Sequence, residues 1–186
     1  MEEMQTAPVR VGDNAPYFNM LSTKNLKTLA ENVTLDDYKG KWLILFFYPM
    51  DFTFVCPTEI TAFSDRIEDF HKQGAEVLGV STDSVYSHRA WINMPRNQGG
   101  IGPISYPLAS DMTKSVCWNY GVLIEDQGIA LRGTFIIDPD QVVRYIVIHD
   151  LDVGRNIDET LRVLQALQTG GLCPVGWRPG MATLEA

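Results

Sequence analysis

One cysteine stands where an apolar strand gives way to a helix, within Pro49-Met50-Asp51-Phe52-Thr53-Phe54-Val55-Cys56-Pro57-Thr58-Glu59. Trp42 to Tyr48 is a continuous apolar run of strand length, and Pro49 ends it by fixing φ and removing a backbone donor. Apolar residues then recur as Ile60, Phe63, Ile67 and Phe70, spacings of three and four that predict one helical stripe running to about His71 and stopping near Gly74. Cys56 therefore falls in or beside the first turn of that helix. Backbone N–H groups and the positive end of the helix dipole favour an anion there, which marks the residue as a thiolate nucleophile. With Thr53 as N-cap, its hydroxyl lies three residues before the sulfur on the same face of the turn, where it can hydrogen-bond the thiolate and whatever the thiolate attacks. The competing reading makes Thr53 a plain cap and Cys56 a small buried hydrophobe.

The elements that must hold this junction alternate along the chain. Glu76 to Ser81 reads as a second strand, making a βαβ unit with parallel strands and a right-handed crossover. Ser84 can cap a helix through about Asn93, 95–102 is loop, and a short helix from Thr113 to Tyr120 stops at Gly121. Arg132 to Ile137 and Val142 to Ile148, joined by Asp138-Pro139-Asp140-Gln141, predict an antiparallel hairpin. Asn156 to Glu159 resembles a capping box, with Ile157, Leu161, Leu164 and Leu167 as the buried face of a last helix that Gly170-Gly171 ends. Beyond it Cys173 lies on a tail carrying Pro174, Gly176, Pro179 and Gly180, read as mobile. The expected division is a domain over 1–170 and a tail over 171–186.

Composition narrows the class. A chain of 186 residues, 45% apolar, suits one domain burying roughly 70% of its unfolded surface. Its three cysteines are separated by 61 and 56 positions (56 to 117, 117 to 173), so they form no C-x-x-C pair and no zinc cluster, and no metal or cofactor is expected. That sparse, odd count fits redox-active thiols in a reducing, cytoplasmic setting. The acidic start Met1-Glu2-Glu3 is no secretory signal, no apolar stretch reaches membrane-span length, and the formal charge of −8 argues against nucleic-acid or membrane partners.

The spacing Pro49-x-x-x-Thr53-x-x-Cys56 resembles the signature of the peroxiredoxins, a family of thiol peroxidases. Ala15-Pro16-Tyr17-Phe18, Phe46 through Glu59, Gly99-Gly100-Ile101-Gly102-Pro103, Arg132 through Asp138, Val153-Gly154-Arg155 and Cys173-Pro174-Val175-Gly176-Trp177 follow the family's order, so the likeness spans nearly the whole chain. It is closest to the typical two-cysteine subgroup, of alkyl hydroperoxide reductase C type. The resemblance implies an α/β thioredoxin-like fold, a central mixed sheet flanked by helices, with an N-terminal extension and a C-terminal tail.

It also implies roles. Cys56 would attack the O–O bond of hydrogen peroxide or an organic hydroperoxide and become a sulfenic acid. Arg132 would be the active-site arginine and Arg155 a second one near the pocket, although a surface or salt-bridging arginine is the alternative for each. Glu59 would orient an arginine, Pro49 shield the thiolate, and Tyr48 help hold the pocket. Cys173 of the partner subunit would resolve the sulfenic acid as a disulfide, recycled by a thioredoxin-like or flavoprotein dithiol reductant. The residues themselves leave an intramolecular bridge equally open. Antiparallel homodimers closing into a decamer are the implied assembly.

Cys117, without a cation or helix N-terminus beside it, reads as an inert core thiol. Easily overoxidised members of the family carry Gly-Gly-Leu-Gly together with a Tyr-Phe pair on a C-terminal helix; here the first motif is Gly99-Gly100-Ile101-Gly102 and no tyrosine or phenylalanine follows Cys173 in the 13 remaining residues, so the resemblance implies a bacterial-type, overoxidation-resistant enzyme. A disulfide reductase would need paired cysteines. A cysteine hydrolase would need a histidine base, yet His71, His88 and His149 read as solvated or capping residues. The glycine cluster Gly99 to Gly102 follows no strand and is a weak nucleotide motif. An oligomeric holdase chaperone on the same scaffold is the non-enzyme alternative.

Overall fold

The computed structural model describes residues 7–185. In chain order the elements are β1 (Asn19–Ser22), β2 (Asn32–Thr34), β3 (Trp42–Phe47), α1 (Cys56–Asp65), α2 (Ile67–Lys72), β4 (Ala75–Ser81), α3 (Val85–Asn93), β5 (Leu108–Ser110), α4 (Ser115–Asn119), β6 (Leu123–Ile124), β7 (Ile129–Ala130), β8 (Arg132–Ile137), β9 (Val143–His149) and α5 (Ile157–Gln168). Two compact units are distinguished, one ending at Arg155 and one beginning at Asn156. The second unit contains α5 and the tail.

The first unit is built on a seven-stranded sheet in the order β2-β1-β5-β4-β3-β8-β9, with β6 and β7 forming a separate two-stranded ribbon. β3 pairs in parallel with β4 and antiparallel with β8, while β8 and β9 form the antiparallel hairpin read from the sequence. This is a mixed α/β sheet of thioredoxin-like type. The continuous apolar character of β3 follows from its central place, since a strand covered on both faces has no polar side to alternate. Leu43, Leu45 and Phe47 join one core with Phe135, Ile137 and the α4 residues Val116 and Cys117. Phe46 faces the other way, stacked on Phe63 of α1 at 4.6 Å between ring centroids. Glycine at Gly79, the parallel partner of Phe46, makes room for that ring, because a Cβ there would lie 2.8 Å from its Cζ.

The helical stripe is real but the helix is not continuous. Ile60, Phe63, Ile67 and Phe70 are all buried, yet Arg66, at φ −107° and ψ 11°, separates α1 from α2. The Asp69 N–H bonds the Arg66 carbonyl at 3.0 Å, a contact spanning three residues rather than four, and the Arg66 Nε reaches Asp69 Oδ2 at 2.6 Å. The tightened turn keeps both halves of the stripe facing the sheet, which the apolar spacing alone does not distinguish from a straight helix. A bidentate pair from Arg96 to Asp65, at 2.9 and 3.0 Å, ties the far end of α1 to the loop after α3.

In the second unit, Asn156 caps α5 by accepting from the Glu159 N–H at 3.1 Å. Ile157 and Leu164 are buried while Leu161 and Leu167 are half-buried, a narrower face than four evenly buried positions. The tail is not a loose end. It turns back so that the Leu184 N–H meets the Leu172 carbonyl at 2.8 Å, Trp177 is buried, and Arg162 of α5 donates to the Trp177 carbonyl at 2.9 Å. The glycines and prolines that read as marks of mobility in the sequence supply the turns of this loop. No helix among the described residues is long and apolar enough to cross a membrane.

Candidate active site

Cys56 is the first residue of α1 and is fully buried. Pro49, also buried, ends β3 and Pro57 occupies the helix's second position, where its missing N–H costs nothing. Thr53 is not the N-cap. Val55 takes that place, already in helical conformation at φ −81° and ψ −41°, and no side chain caps the helix. Between Met50 and Thr53 the chain makes a turn in which Phe52 adopts φ +58°, a left-handed conformation that costs an L-residue about 1 to 2 kcal/mol. The Thr53 hydroxyl donates to the Met50 carbonyl at 2.9 Å. Its hydrogen is thereby committed, so towards an incoming molecule its oxygen acts as an acceptor.

Arg132 opens β8 and reaches the sulfur from the sheet. Its Nη1 donates to Cys56 Sγ at 3.3 Å and to Glu59 Oε2 at 2.7 Å, while Nε donates to the Leu151 carbonyl at 2.7 Å. Among the described residues Nη2 has no protein partner. The guanidinium is thus fixed at two nitrogens and keeps the third for a ligand beside the sulfur. Glu59, one turn into α1 from Cys56, is buried between two arginines: Oε1 accepts from the backbone N–H of Arg155 at 2.9 Å and lies 3.3 Å from its Nε, too poorly aligned for a hydrogen bond.

Arg155 serves the sheet more than the sulfur. The β3–β8 ladder runs out after Phe46 and Thr134, and the Arg155 guanidinium bonds the carbonyls of the next residue on each strand, Phe47 and Gly133. It lies 5.0 Å above the Phe46 ring. Burial lowers its pKa to about 10, with the Glu59 carboxylate opposing the shift. Of the two alternatives, a surface position is excluded for both residues, whose side chains are 4% and 2% exposed, while the salt bridge is present for both, to Glu59.

The Tyr48 hydroxyl enters a buried polar cluster that the sequence reading missed. It donates to Asp51 Oδ1 at 2.8 Å; Asp51 Oδ2 lies 2.8 Å from Nδ1 of His88, whose Nε2 is 3.2 Å from the Ala109 carbonyl. Desolvation, then the Asp51 charge, pushes the Tyr48 phenol well up. The Asp51 N–H in turn donates to Asp83, itself held by Ser81. This cluster anchors the turn that leads into Cys56 onto β4 and α3. His88 is therefore neither solvated nor capping but wholly buried. The signal was present: Val85, His88 and Trp91 recur every three residues on the apolar stripe of α3.

Cys117 is a buried residue of α4, its N–H donating to Asp111 at 2.7 Å, and desolvation followed by the Asp111 charge raises its thiol pKa well above the ordinary value. Cys173 lies in the second unit, half-buried. No group of three or more His, Cys, Asp or Glu side chains among the described residues could hold a metal.

The AhpC/TSA family model matches residues 11–146. Peroxiredoxin-2 of Mus musculus is 53% identical over 186 residues, covering 98% of this chain and 93% of its own. A chloroplastic 2-Cys peroxiredoxin of Hordeum vulgare is 54% identical over 180 residues, covering 94% and 85%. The crystal structure of a reduced 2-Cys peroxiredoxin from Plasmodium vivax superposes with a TM-score of 0.90 at 39% identity, covering 95% of this chain and 93% of that one. With a thiol, a guanidinium and a carboxylate meeting at the strand-to-helix junction, and with relatives this similar over nearly the whole chain, the chain belongs to the AhpC/TSA family and is a peroxiredoxin, a thiol-dependent peroxidase.

Proposed function

We propose that this peroxidase reduces hydrogen peroxide and organic hydroperoxides at Cys56, with Cys173 of a partner subunit resolving the product. The observation that carries the first half is the Arg132 guanidinium, bonded to Sγ through Nη1 and with Nη2 open. The thiolate attacks one peroxide oxygen; an S–O bond forms, the O–O bond breaks, and the departing oxygen takes a proton to leave as water or an alcohol. Negative charge moves from sulfur to that oxygen, and a fork of fixed N–H donors follows it, stabilising the transition state more than the ground state. The Thr53 oxygen accepts the peroxide's hydrogen and sets its orientation. Peroxide reaches the fully buried sulfur when the turn over Pro49 and Thr53 parts.

Arg132→Lys is accordingly not conservative. An ammonium cannot hold Sγ, Glu59, the Leu151 carbonyl and a peroxide oxygen in one plane, and kcat/KM for peroxide is expected to fall by about 2 to 4 kcal/mol of transition-state stabilisation. Unchanged kcat/KM would remove Arg132 from the chemistry.

In the second half, the Cys173 sulfur attacks the Cys56 sulfenic acid and water leaves, forming a disulfide that an external dithiol of thioredoxin-like or flavoprotein type reduces by exchange. Two surfaces support a homodimer that assembles further. β9 ends the sheet; its start is held by the Gly12 N–H on the Val143 carbonyl and by the Val143 N–H on the Asp13 carbonyl, while further along Val147 is half-buried and Ile148 exposed, an edge of the kind that pairs with a second strand. Met50, Phe52, Phe54 and Tyr86 are exposed apolar residues on and near the turn before Cys56, suited to a second contact that would close dimers into a ring. After peroxide treatment, wild type should run as a covalent dimer on a non-reducing gel. Cys173→Ser should run as monomer, consume one equivalent of peroxide and resist recycling by dithiol. A monomeric band carrying a Cys56–Cys173 bridge would make the mechanism intramolecular. The holdase alternative lacks a residue-level feature of its own, whereas the peroxidase reading accounts for each buried charge around Cys56.

A further inference from the structure

Cys173 is not simply displayed on its loop. Thr169, the residue after α5, donates its hydroxyl to the Ala166 carbonyl at 2.8 Å and accepts the Gly171 N–H at 3.2 Å. Gly170, at φ +66°, reverses the chain and returns Cys173 to the same helix end, where its Sγ lies 3.4 Å from the Thr169 oxygen and 3.6 Å from the Ala166 carbonyl. The Cys173 S–H donates to the Ala166 carbonyl, and with the Thr169 hydrogen directed at that same carbonyl the Thr169 oxygen is a second acceptor with which the one S–H is shared. Both near neighbours of the sulfur are therefore acceptors. On either side the loop is tethered, Leu172 by its bridge to Leu184 and Pro174 by the Trp177 N–H at 3.0 Å. The sulfur sits in a groove of about 510 Å³ between α5 and the loop, lined by Arg162, Val163, Ala166 and Leu167 on one side and Pro174 and Val175 on the other.

We propose that Thr169 is a positioning residue that docks the Cys173 thiol on the end of α5 and thereby sets how fast this sulfur is delivered to its reaction partner. The inference rests on the reading of Cys173 as the resolving thiol. A docked thiol must leave its acceptors before it can attack a sulfenic acid, so resolution includes an undocking step within the second unit, separate from whatever opening occurs at Cys56. Such a device keeps the resolving sulfur out of exchange with small thiols and disulfides while no sulfenic acid is present. Contacts of the S–H···O class are weak singly, each worth on the order of 0.5 to 1 kcal/mol, so removing one side of the dock should act on rates by a few-fold rather than by orders of magnitude.

The test uses full-length reduced protein carrying Cys56→Ser and Cys117→Ser, leaving Cys173 as its sole thiol for iodoacetamide. Thr169→Val, which keeps the shape and removes the hydroxyl, should speed alkylation roughly two- to five-fold, the rate expected from losing one such contact. Thr169→Ser should return the rate to that of the parent, which a merely structural role for the threonine methyl would not do. An unchanged or slower rate in Thr169→Val, or failure of serine to restore it, overturns the docking. In a second arm all three cysteines are kept and the disulfide is timed after a peroxide pulse. Thr169→Val should accelerate that step by a similar factor while leaving the preceding loss of the Cys56 thiolate unchanged. Faster alkylation with an unaltered disulfide rate would overturn the claim that undocking sets delivery, whereas a disulfide that forms without Cys173 would refute the reading of Cys173 as the resolving thiol.

Discussion

Cys56→Ser is expected to abolish catalytic peroxide consumption, while Cys117→Ser leaves it within about two-fold of wild type. The two cysteines are equally buried, so accessibility does not separate them; their electrostatic surroundings do. Cys56 begins a helix and accepts a hydrogen bond from a guanidinium, both of which suit a sulfur anion. Cys117 has a carboxylate against it and its thiol is held protonated, leaving it a poor nucleophile at neutral pH. A serine hydroxyl at position 56 is close in size to the thiol but far less acidic and less nucleophilic, so the fold should persist without the chemistry. Peroxide consumption measured with an excess of dithiol reads this directly. Comparable losses in the two variants would contradict a single nucleophile.

Glu59→Ala should be damaging twice over. Arg132 and Arg155 are both buried and Glu59 is the carboxylate that both contact, so its removal leaves two guanidinium charges facing each other without their counterion. Breaking a buried pair in this way typically costs about 3 to 5 kcal/mol, because the orphaned charge is not resolvated. Denaturant unfolding should show that loss as a lower midpoint at constant slope. Activity should fall as well, since Arg132 Nη1 loses the acceptor that holds it beside the sulfur. Glu59→Gln, which keeps the size and one acceptor oxygen, should recover part of the stability and less of the activity. A Glu59→Ala variant as stable as wild type would show that the arginines are held by their backbone partners alone, Leu151 for Arg132 and Phe47 and Gly133 for Arg155.

Local pattern carried much of this architecture. The apolar run of β3, the proline that ends it, the stripe of α1 and the hairpin turn at Asp138 are each decided within about ten residues, and each lies where its spacing places it. The same locality made Cys56 legible, because a helix start is a local event with an electrostatic consequence. Arg132, 76 residues away, was reached only through family likeness, since no periodicity says which strand residue will face a given thiol. Three features needed the fold itself. Thr53 missed the capping place because its hydroxyl closes the Phe52 turn back onto the Met50 carbonyl and the helix starts only after Val55, and no side-chain propensity reveals that. Asp51 and His88 are 37 residues apart and meet only when β4 carries the chain back to α3, although the burial of His88 could have been read from its stripe. The tail looked mobile because glycine and proline mark turns in a folded loop as readily as they mark a flexible one.

The central claim is that the first oxidising equivalent lands on the Cys56 sulfur. Reduced wild type is given one equivalent of hydrogen peroxide, quenched with an alkylating reagent and digested, and each cysteine peptide is weighed. The account predicts that the Cys56 peptide alone among the thiols carries the sulfenic acid at the earliest times and that it then appears joined to the Cys173 peptide, with the Cys117 peptide alkylated throughout. An early oxygen on Cys117 or Cys173, with Cys56 still available to the reagent, would contradict it.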